Sequence, residues 1–114
     1  MTSGRFLEAE LRSGLDDPGL RILSIEPVSG GCIHETARLE TTKGDFFAKW
    51  NSEAPAEIFS SEAQGLRVLR AAASGLVVPE VFLASPPRDG RPAFIVMEYL
   101  PPGDGRGAKG HEAL

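Results

Sequence analysis

Apolar residues in the first part of the chain recur at helical spacing and then adopt the spacing of a strand. Between residues 5 and 15 they fall three or four positions apart, which predicts a short amphipathic helix with an apolar face of Phe6, Leu7, Leu11 and Leu15. Asp-Pro-Gly follows, and this tripeptide favours a turn. Residues 20–28, LRILSIEPV, are rich in apolar and β-branched side chains and predict a first strand.

Strict alternation of polar and apolar residues marks the next segment. From residue 33 to 41 the polar positions His34, Thr36, Arg38 and Glu40 share one face, while Ala37 and Leu39 share the other. This period of two predicts a half-buried strand. A Lys-Gly-Asp turn leads into residues 46–50, FFAKW, which predict a third strand. Because short turns join antiparallel neighbours, we expect these three strands to form a meander.

A longer helix is predicted after the meander, over about residues 56–73. Its expected buried stripe steps by three and four residues and consists of Ile58, Glu62, Leu66, Leu69 and Ala73. Gly75 is expected to end the helix. Residues 80–85 and 93–100 predict two further strands, and the second is apolar nearly throughout, which is typical of a strand inside a sheet. The predicted fold class is therefore α+β: a five-stranded antiparallel sheet with one long packed helix and a short helix before it.

Composition and charge narrow the function classes. With 114 residues, 41% hydrophobic and 25% charged, the chain has the size and balance of one globular domain. Its formal net charge is −4 without any basic run, which argues against nucleic-acid and membrane-surface binding. No apolar stretch approaches a membrane span, and the N-terminus shows no secretory signal. The lone Cys32 fits a reducing, cytoplasmic location.

Two charged residues stand where the pattern predicts apolar ones. Lys49 shares a strand face with Phe47, and Glu62 lies within the stripe of the long helix. Burying either charge alone would cost several kcal/mol, whereas burying them against each other costs much less. We therefore predict an ion pair between Lys49 and Glu62. The alternative is that one or both side chains extend to solvent, as lysines often do.

The Gly30-Gly31 turn between the first two predicted strands lies next to that lysine in a meander. Glycines allow close backbone approach, and successive N–H groups in such a turn can bind a phosphate. The turn also has a simpler interpretation as a plain hairpin connection. Neither the P-loop motif nor a complete dinucleotide-binding motif is present, so those nucleotide folds are unsupported.

The order of these elements resembles the N-terminal lobe of the protein-kinase-like fold, in which a strand lysine pairs with a helix glutamate. More narrowly, SGGCIHE followed by DFFAKWN, FSSEAQGLRVLR, VPEVF and AFIVMEYLPPG resembles the fructosamine kinase (ketosamine 3-kinase) family. The resemblance runs from about Gly14 to Gly103. It implies phosphorylation of the 3-position of ketosamines, the sugar–amine adducts of glycated proteins or small amines, by ATP with Mg²⁺. With a kinase activity of this type, the parent protein would be an ATP-dependent phosphotransferase that acts in deglycation.

The resemblance also implies roles at the phosphate end of an ATP site. A loop over the phosphates would consist of Gly30, Gly31, Cys32, Ile33 and His34. Lys49 would hold the α- and β-phosphates, and Glu62 would orient it. At His34 this chain departs from the family, whose loop usually has Asn there.

At the adenine end, the resemblance implies that Val28 and Phe47 line the base pocket and that Met97 is the gatekeeper. The backbone C=O and N–H of Glu98 and Leu100, on either side of Tyr99, would bind the adenine edge. A phenylalanine two positions before the lysine differs from the alanine that protein kinases favour, and it agrees with small-molecule kinases.

The resemblance implies that the catalytic base and both magnesium ligands lie in a C-terminal lobe, and we expect that this sequence ends before that lobe. No HGD-like segment and no metal-binding segment occurs, and no metal ligand is assigned. We expect residues 1–100 to form the N-terminal lobe and residues 101–114 to form a hinge or linker with the start of a second lobe. The chain alone should be inactive, and the particular ketosamine is not predictable because acceptor contacts lie mainly in that lobe.

Two alternatives stay open. The parent could be an aminoglycoside- or choline-type small-molecule kinase, or the chain could be a non-catalytic binding module. An isolated lobe should also expose apolar surface, so self-association through that face is expected. Pairing of two copies through Cys32, which would block the ATP site, is a further possibility.

The remaining charged and aromatic residues suggest structural roles. Glu8, Glu10 and Arg12 are expected on a solvated face of the first helix. Phe46 and Trp50 point away from Lys49 and are expected in a core under the long helix or on a surface that packs against another lobe.

Overall fold

The computed structural model describes residues 4–28, 34–72, 75 and 77–100. Within them the chain forms two helices and five strands. In chain order these are α1 (Phe6–Gly14), β1 (Ile22–Pro27), β2 (Glu35–Thr41), β3 (Gly44–Asn51), α2 (Ile58–Ala72), β4 (Val81–Ser85) and β5 (Ala93–Glu98). Every predicted element is present with its predicted type.

The five strands form one antiparallel sheet in the order β1-β2-β3-β5-β4. The predicted meander is therefore present as β1, β2 and β3, and β3 lies at the centre of the sheet. The β2–β3 turn uses Gly44 at φ 114°, a backbone conformation that suits glycine. Strand β5 lies between β3 and β4 and is buried along nearly its whole length, which agrees with its continuous apolar run.

The alternation in β2 and β3 separates the two faces of the sheet as predicted. One face packs against α1 and forms a core of Leu7, Leu11, Leu20, Ile22, Ala37, Leu39, Phe46, Ala48, Trp50, Phe94 and Val96. The opposite face packs against α2 and forms a second core of Phe59, Ala63, Leu66, Val81, Ala93, Ile95 and Met97. Phe46 and Trp50 thus lie under the short helix. The expectation that they pack under the long helix or form a lobe-packing surface is wrong, because the two helices cover opposite faces.

The buried stripe of α2 differs from the predicted one. Phe59, Ala63 and Leu66 face the sheet, at spacings of four and three residues, whereas Leu69 is 44% exposed. Ala73 lies outside the described residues. The rotation brings the small Ala63 against the sheet and moves Glu62 from the centre of the stripe to its edge, where a carboxylate can keep some contact with water.

Helix α1 is attached to the sheet by charged groups as well as by leucines. Glu10 is buried, and its two carboxylate oxygens accept hydrogen bonds from Arg88 and Arg91 at 2.8 and 2.7 Å. The expectation of a solvated Glu10 is wrong, because two guanidinium groups offset its loss of hydration. Glu8 also has a structural contact, since its carboxylate accepts the Ile22 N–H at 2.8 Å.

Two helical glycines offer a matched test of this packing. A Cβ at Gly14 would lie 2.3 Å from a Leu83 methyl, whereas a Cβ at Gly65 would meet nothing within 4 Å. We expect Gly14→Ala to lower the free energy of unfolding by about 1–2 kcal/mol through overpacking. Gly65→Ala should raise it by about 0.5–1 kcal/mol, because alanine favours the helix. Urea unfolding measures both, and equal effects would contradict the contact between α1 and β4.

Candidate functional site

The predicted ion pair joins the central strand to the long helix. The Lys49 Nζ atom on β3 donates to Glu62 Oε2 on α2 at 2.5 Å. The two side chains are 18% and 30% exposed, so protein shields most of the pair while part of each side chain stays in contact with water. An ammonium group held in this way is fixed in position and keeps further N–H donors for another anion.

Strand register places further predicted site residues on the same face as the pair. Thr36, Lys49 and Ile95 form one row across β2, β3 and β5. Arg38, Phe47 and Met97 form the neighbouring row. Cross-strand partners in such rows point to the same side of a sheet. The predicted Phe47 and Met97 therefore share the α2 face with Lys49.

These residues differ in how open they are. Met97 is buried in the core beneath α2, while Phe47 is half-buried at its margin. Val28 is exposed and continues the β1 register: its N–H donates to the Thr36 carbonyl at 3.0 Å, and Thr36 Oγ1 donates to the Val28 carbonyl at 2.6 Å. Val28 and Phe47 could therefore contact a ligand laid on this face, with Met97 behind them.

The end of β5 is held against the start of β4. The Glu98 N–H donates to the Glu80 carbonyl at 2.7 Å, and the Glu98 carboxylate accepts the Glu80 N–H at 3.1 Å. These contacts fix the direction in which the chain leaves the sheet through Tyr99 and Leu100. Contacts of that backbone with an adenine edge remain a prediction.

Arg38 is a feature of this face that the sequence interpretation did not single out. Its guanidinium donates twice to the Asp45 carboxylate, at 3.0 and 2.7 Å, and lies 3.3 Å from Glu26. It also lies 5.1 Å from the centre of the Tyr99 ring, in a cation–π arrangement. The hydrogen bond to Asp45 raises the pKa of Arg38 above its usual value. Arg38 thus connects the β2–β3 hairpin to the segment after β5.

His34 lies close to the ion pair. Its Nδ1 atom is 3.1 Å from Asn51 Nδ2, and its ring packs on Phe59 with 4.8 Å between ring centres. Loss of hydration, followed by the positive charge of Lys49, lowers the pKa of His34, and the Glu62 carboxylate partly opposes this shift. Asn51 and Phe59 were not predicted as site residues. Asn51 ends β3 and Phe59 lies in the first turn of α2, and neither position carried a chemical signal in the sequence.

With this geometry described, comparison with known proteins gives the family. A family model described as fructosamine kinase matches residues 8–113. The chain belongs to the fructosamine kinase family.

Two curated relatives of this chain are bacterial proteins. A probable ketoamine kinase of Klebsiella aerogenes is 38% identical over 73 residues, which cover 64% of this chain and 24% of that protein. A probable ketoamine kinase of Enterococcus faecium is 30% identical over 79 residues, which cover 69% of this chain and 27% of that protein. The matched region is thus about a quarter of the length of each relative.

The family match includes every site residue predicted from the sequence, but the structure describes only some of them. Gly30, Gly31, Cys32 and Ile33 lie outside the described residues, as does the segment 101–114. In the described part of the chain, no group of three His, Cys, Asp or Glu side chains could hold a metal ion. No helix there is long and apolar enough to cross a membrane.

A separate cleft of about 290 Å³ lies between the end of α2 and the start of β4. Its lining consists of Arg67, Arg70, Ala71, Pro79, Glu80 and Val81. None of these residues is among those predicted for the nucleotide site, although Val81 pairs with Met97 across the sheet.

Proposed function

We propose that this chain is the nucleotide-binding lobe of a fructosamine or ketosamine 3-kinase, an enzyme that transfers phosphate from ATP to sugar–amine adducts. Residues 1–100 form the lobe, and residues 101–114 lead to a second lobe that carries the catalytic base, the magnesium ligands and most acceptor contacts. The observation that carries the proposal is the Lys49–Glu62 ion pair on the central strand of a chain that matches the fructosamine kinase model.

The surroundings of Lys49 suit a phosphate. A carboxylate already neutralises part of its charge, and part of each side chain of the pair remains exposed to solvent. A partly shielded ammonium interacts with an anion more strongly than one in bulk water, because the effective dielectric constant is lower. The net charge of −4 opposes nonspecific attraction of anions, so recognition has to come from this local geometry.

The apolar part of the same face suits a nucleobase. Phe47 is half-buried and lies one row from Lys49. Val28 is exposed and lies just after β1, where it is hydrogen-bonded to Thr36 of β2. A flat base can gain contact area on such residues while its phosphates reach Lys49. Mg²⁺ fits this scheme only through residues outside those described, because the described residues contain no ligand cluster. We therefore expect nucleotide binding without turnover from the chain alone.

Calorimetric titration of the 114-residue chain with ADP, ATP and inorganic diphosphate tests the proposal. ADP should bind more tightly than diphosphate, because the base adds apolar contacts on the Phe47 side of the site. The chain mixed with a fructosamine, ATP and Mg²⁺ should form no ADP. Absence of ADP binding, or equal affinity for ADP and diphosphate, would contradict a nucleotide site on this face.

A further inference from the structure

His34 connects three parts of the site. It comes directly before β2, its ring packs on Phe59 of α2, and its Nδ1 atom meets the Asn51 amide at the end of β3. The same two elements, β3 and α2, supply Lys49 and Glu62. The ring therefore links the strand and the helix on which the ion pair depends.

The hydrogen bonds around Asn51 determine which nitrogen of His34 carries the proton. Asn51 Oδ1 accepts the backbone N–H of Glu53 at 2.8 Å, so the amide group is oriented with Nδ2 toward the ring. An amide nitrogen can only donate, and so His34 Nδ1 must accept. The proton of the neutral ring consequently lies on Nε2.

Protonation would disturb this arrangement in two ways. A proton on Nδ1 would face the donor of Asn51 and break that hydrogen bond, and turning the amide would break its bond to Glu53. The charged groups that act on the ring among the described residues are Lys49 from β3 and Glu62 from α2. An imidazolium would repel the lysine and compete with it for the carboxylate.

We propose that His34 is a positioning residue which, as a neutral imidazole with its proton on Nε2, holds the start of β2 against β3 and α2 and so keeps Lys49 aimed at the nucleotide phosphates. Nucleotide binding then weakens when His34 becomes protonated. This inference rests on the proposed function for its nucleotide part, while the state of the ring can be tested without any ligand.

The first test is NMR of the free chain with ¹⁵N-labelled histidine. The chain has two histidines, so the His111→Asn background leaves His34 as the single titrating imidazole. At neutral pH the ¹⁵N chemical shifts of His34 should be those of the Nε2–H tautomer. The pKa of His34 should lie below the ordinary value near 6.5. Asn51→Asp should raise this pKa, because a carboxylate can accept from an imidazolium, and Lys49→Met should raise it by removing a positive charge. An Nδ1–H tautomer, or a pKa unchanged in both variants, would overturn the proposal.

The second test measures the affinity of ADP between pH 8 and pH 5 for the wild-type chain and His34→Asn. Asparagine can place an acceptor oxygen near the former Nδ1 position but does not titrate in this range. Relative to its own value at pH 8, the affinity of His34→Asn should therefore follow only the titration of the ADP phosphates, whereas His34→Ala should weaken binding at every pH. Titration of the ADP phosphates affects all variants equally.

Below pH 6 the affinity of the wild type for ADP should fall relative to that of His34→Asn. For each unit by which ADP binding lowers the pKa of His34, the loss should reach at most about tenfold. Matching profiles for the two proteins, or tighter wild-type binding at low pH, would overturn the positioning role. If ADP bound at no pH, the proposed function and the nucleotide part of this inference would fail together. The NMR result would then separately decide whether His34 anchors β2 as a neutral ring.

Discussion

Replacing Lys49 with methionine should weaken ADP binding by at least about thirtyfold while the chain stays folded. The ammonium is expected to make charge-assisted hydrogen bonds to phosphate, each worth about 1.5–3 kcal/mol, and methionine keeps the apolar stem but removes every donor. The remaining Glu62 carboxylate is 30% exposed and can be hydrated, so the free energy of unfolding should change by only about 1 kcal/mol.

Two further variants separate position from charge. Glu62→Gln keeps the lysine but removes the charge that orients it. ADP affinity should therefore fall by a smaller factor of about ten, which corresponds to the loss of one charge-assisted hydrogen bond. Lys43→Met removes a positive charge from an exposed pair with Asp17, away from the site, and should leave affinity unchanged. Calorimetry or the quenching of protein fluorescence gives the three dissociation constants. Wild-type affinity in Lys49→Met would remove the lysine from the site.

The ion pair could be predicted because each partner interrupts an apolar pattern of known period. Lys49 stands in a strand whose neighbours are buried, and Glu62 stands near the apolar face of a helix. Strand alternation was equally informative, since one face of β2 is apolar and the other polar. These features are local, so short stretches of the sequence contain the signal.

The orientation of α2 was not predictable in the same way. Apolar residues occupy several faces of this helix, and both the stripe through Ile58 and the stripe through Phe59 satisfy the helical period. The stripe that contains Ala63 packs against the sheet, because a small residue lets the helix approach closely. That choice depends on the shape of the opposite surface, which no local pattern contains.

Contacts between distant parts of the chain account for the other differences. Glu10 is separated from Arg88 and Arg91 by 78 and 81 positions, and nothing near Glu10 in the sequence indicates a buried carboxylate. His34 and Asn51 are 17 positions apart and meet only because β2 and β3 pair in register. Side chains of this kind acquire their roles from topology.

The ion pairs of Glu10 with Arg88 and Arg91 give a second large expected effect. Removing the two arginines should cost more stability than removing the charge of Glu10. The Glu10 side chain is 6% exposed, whereas Arg88 and Arg91 are 57% and 40% exposed. Replacing both arginines with alanine leaves a carboxylate buried without compensation, which should lower the free energy of unfolding by about 3 kcal/mol. Glu10→Gln leaves two arginines that water can hydrate and keeps an acceptor at the same place, so its cost should be about 1 kcal/mol.

A triple variant identifies the cause of this asymmetry. Adding Glu10→Leu to the double arginine variant removes the uncompensated charge, and an apolar residue of similar size can occupy the space next to Leu7 and Leu11. Stability should then recover by about 1–2 kcal/mol relative to the double variant, since buried ion pairs can often be replaced by apolar groups. Urea unfolding of the wild type, Glu10→Gln, the double variant and the triple variant measures these differences in the free energy of unfolding. If the triple variant were no more stable than the double variant, the loss in the double variant would come from the missing packing of the arginines on the β4–β5 hairpin, and the unpaired carboxylate would not be its cause.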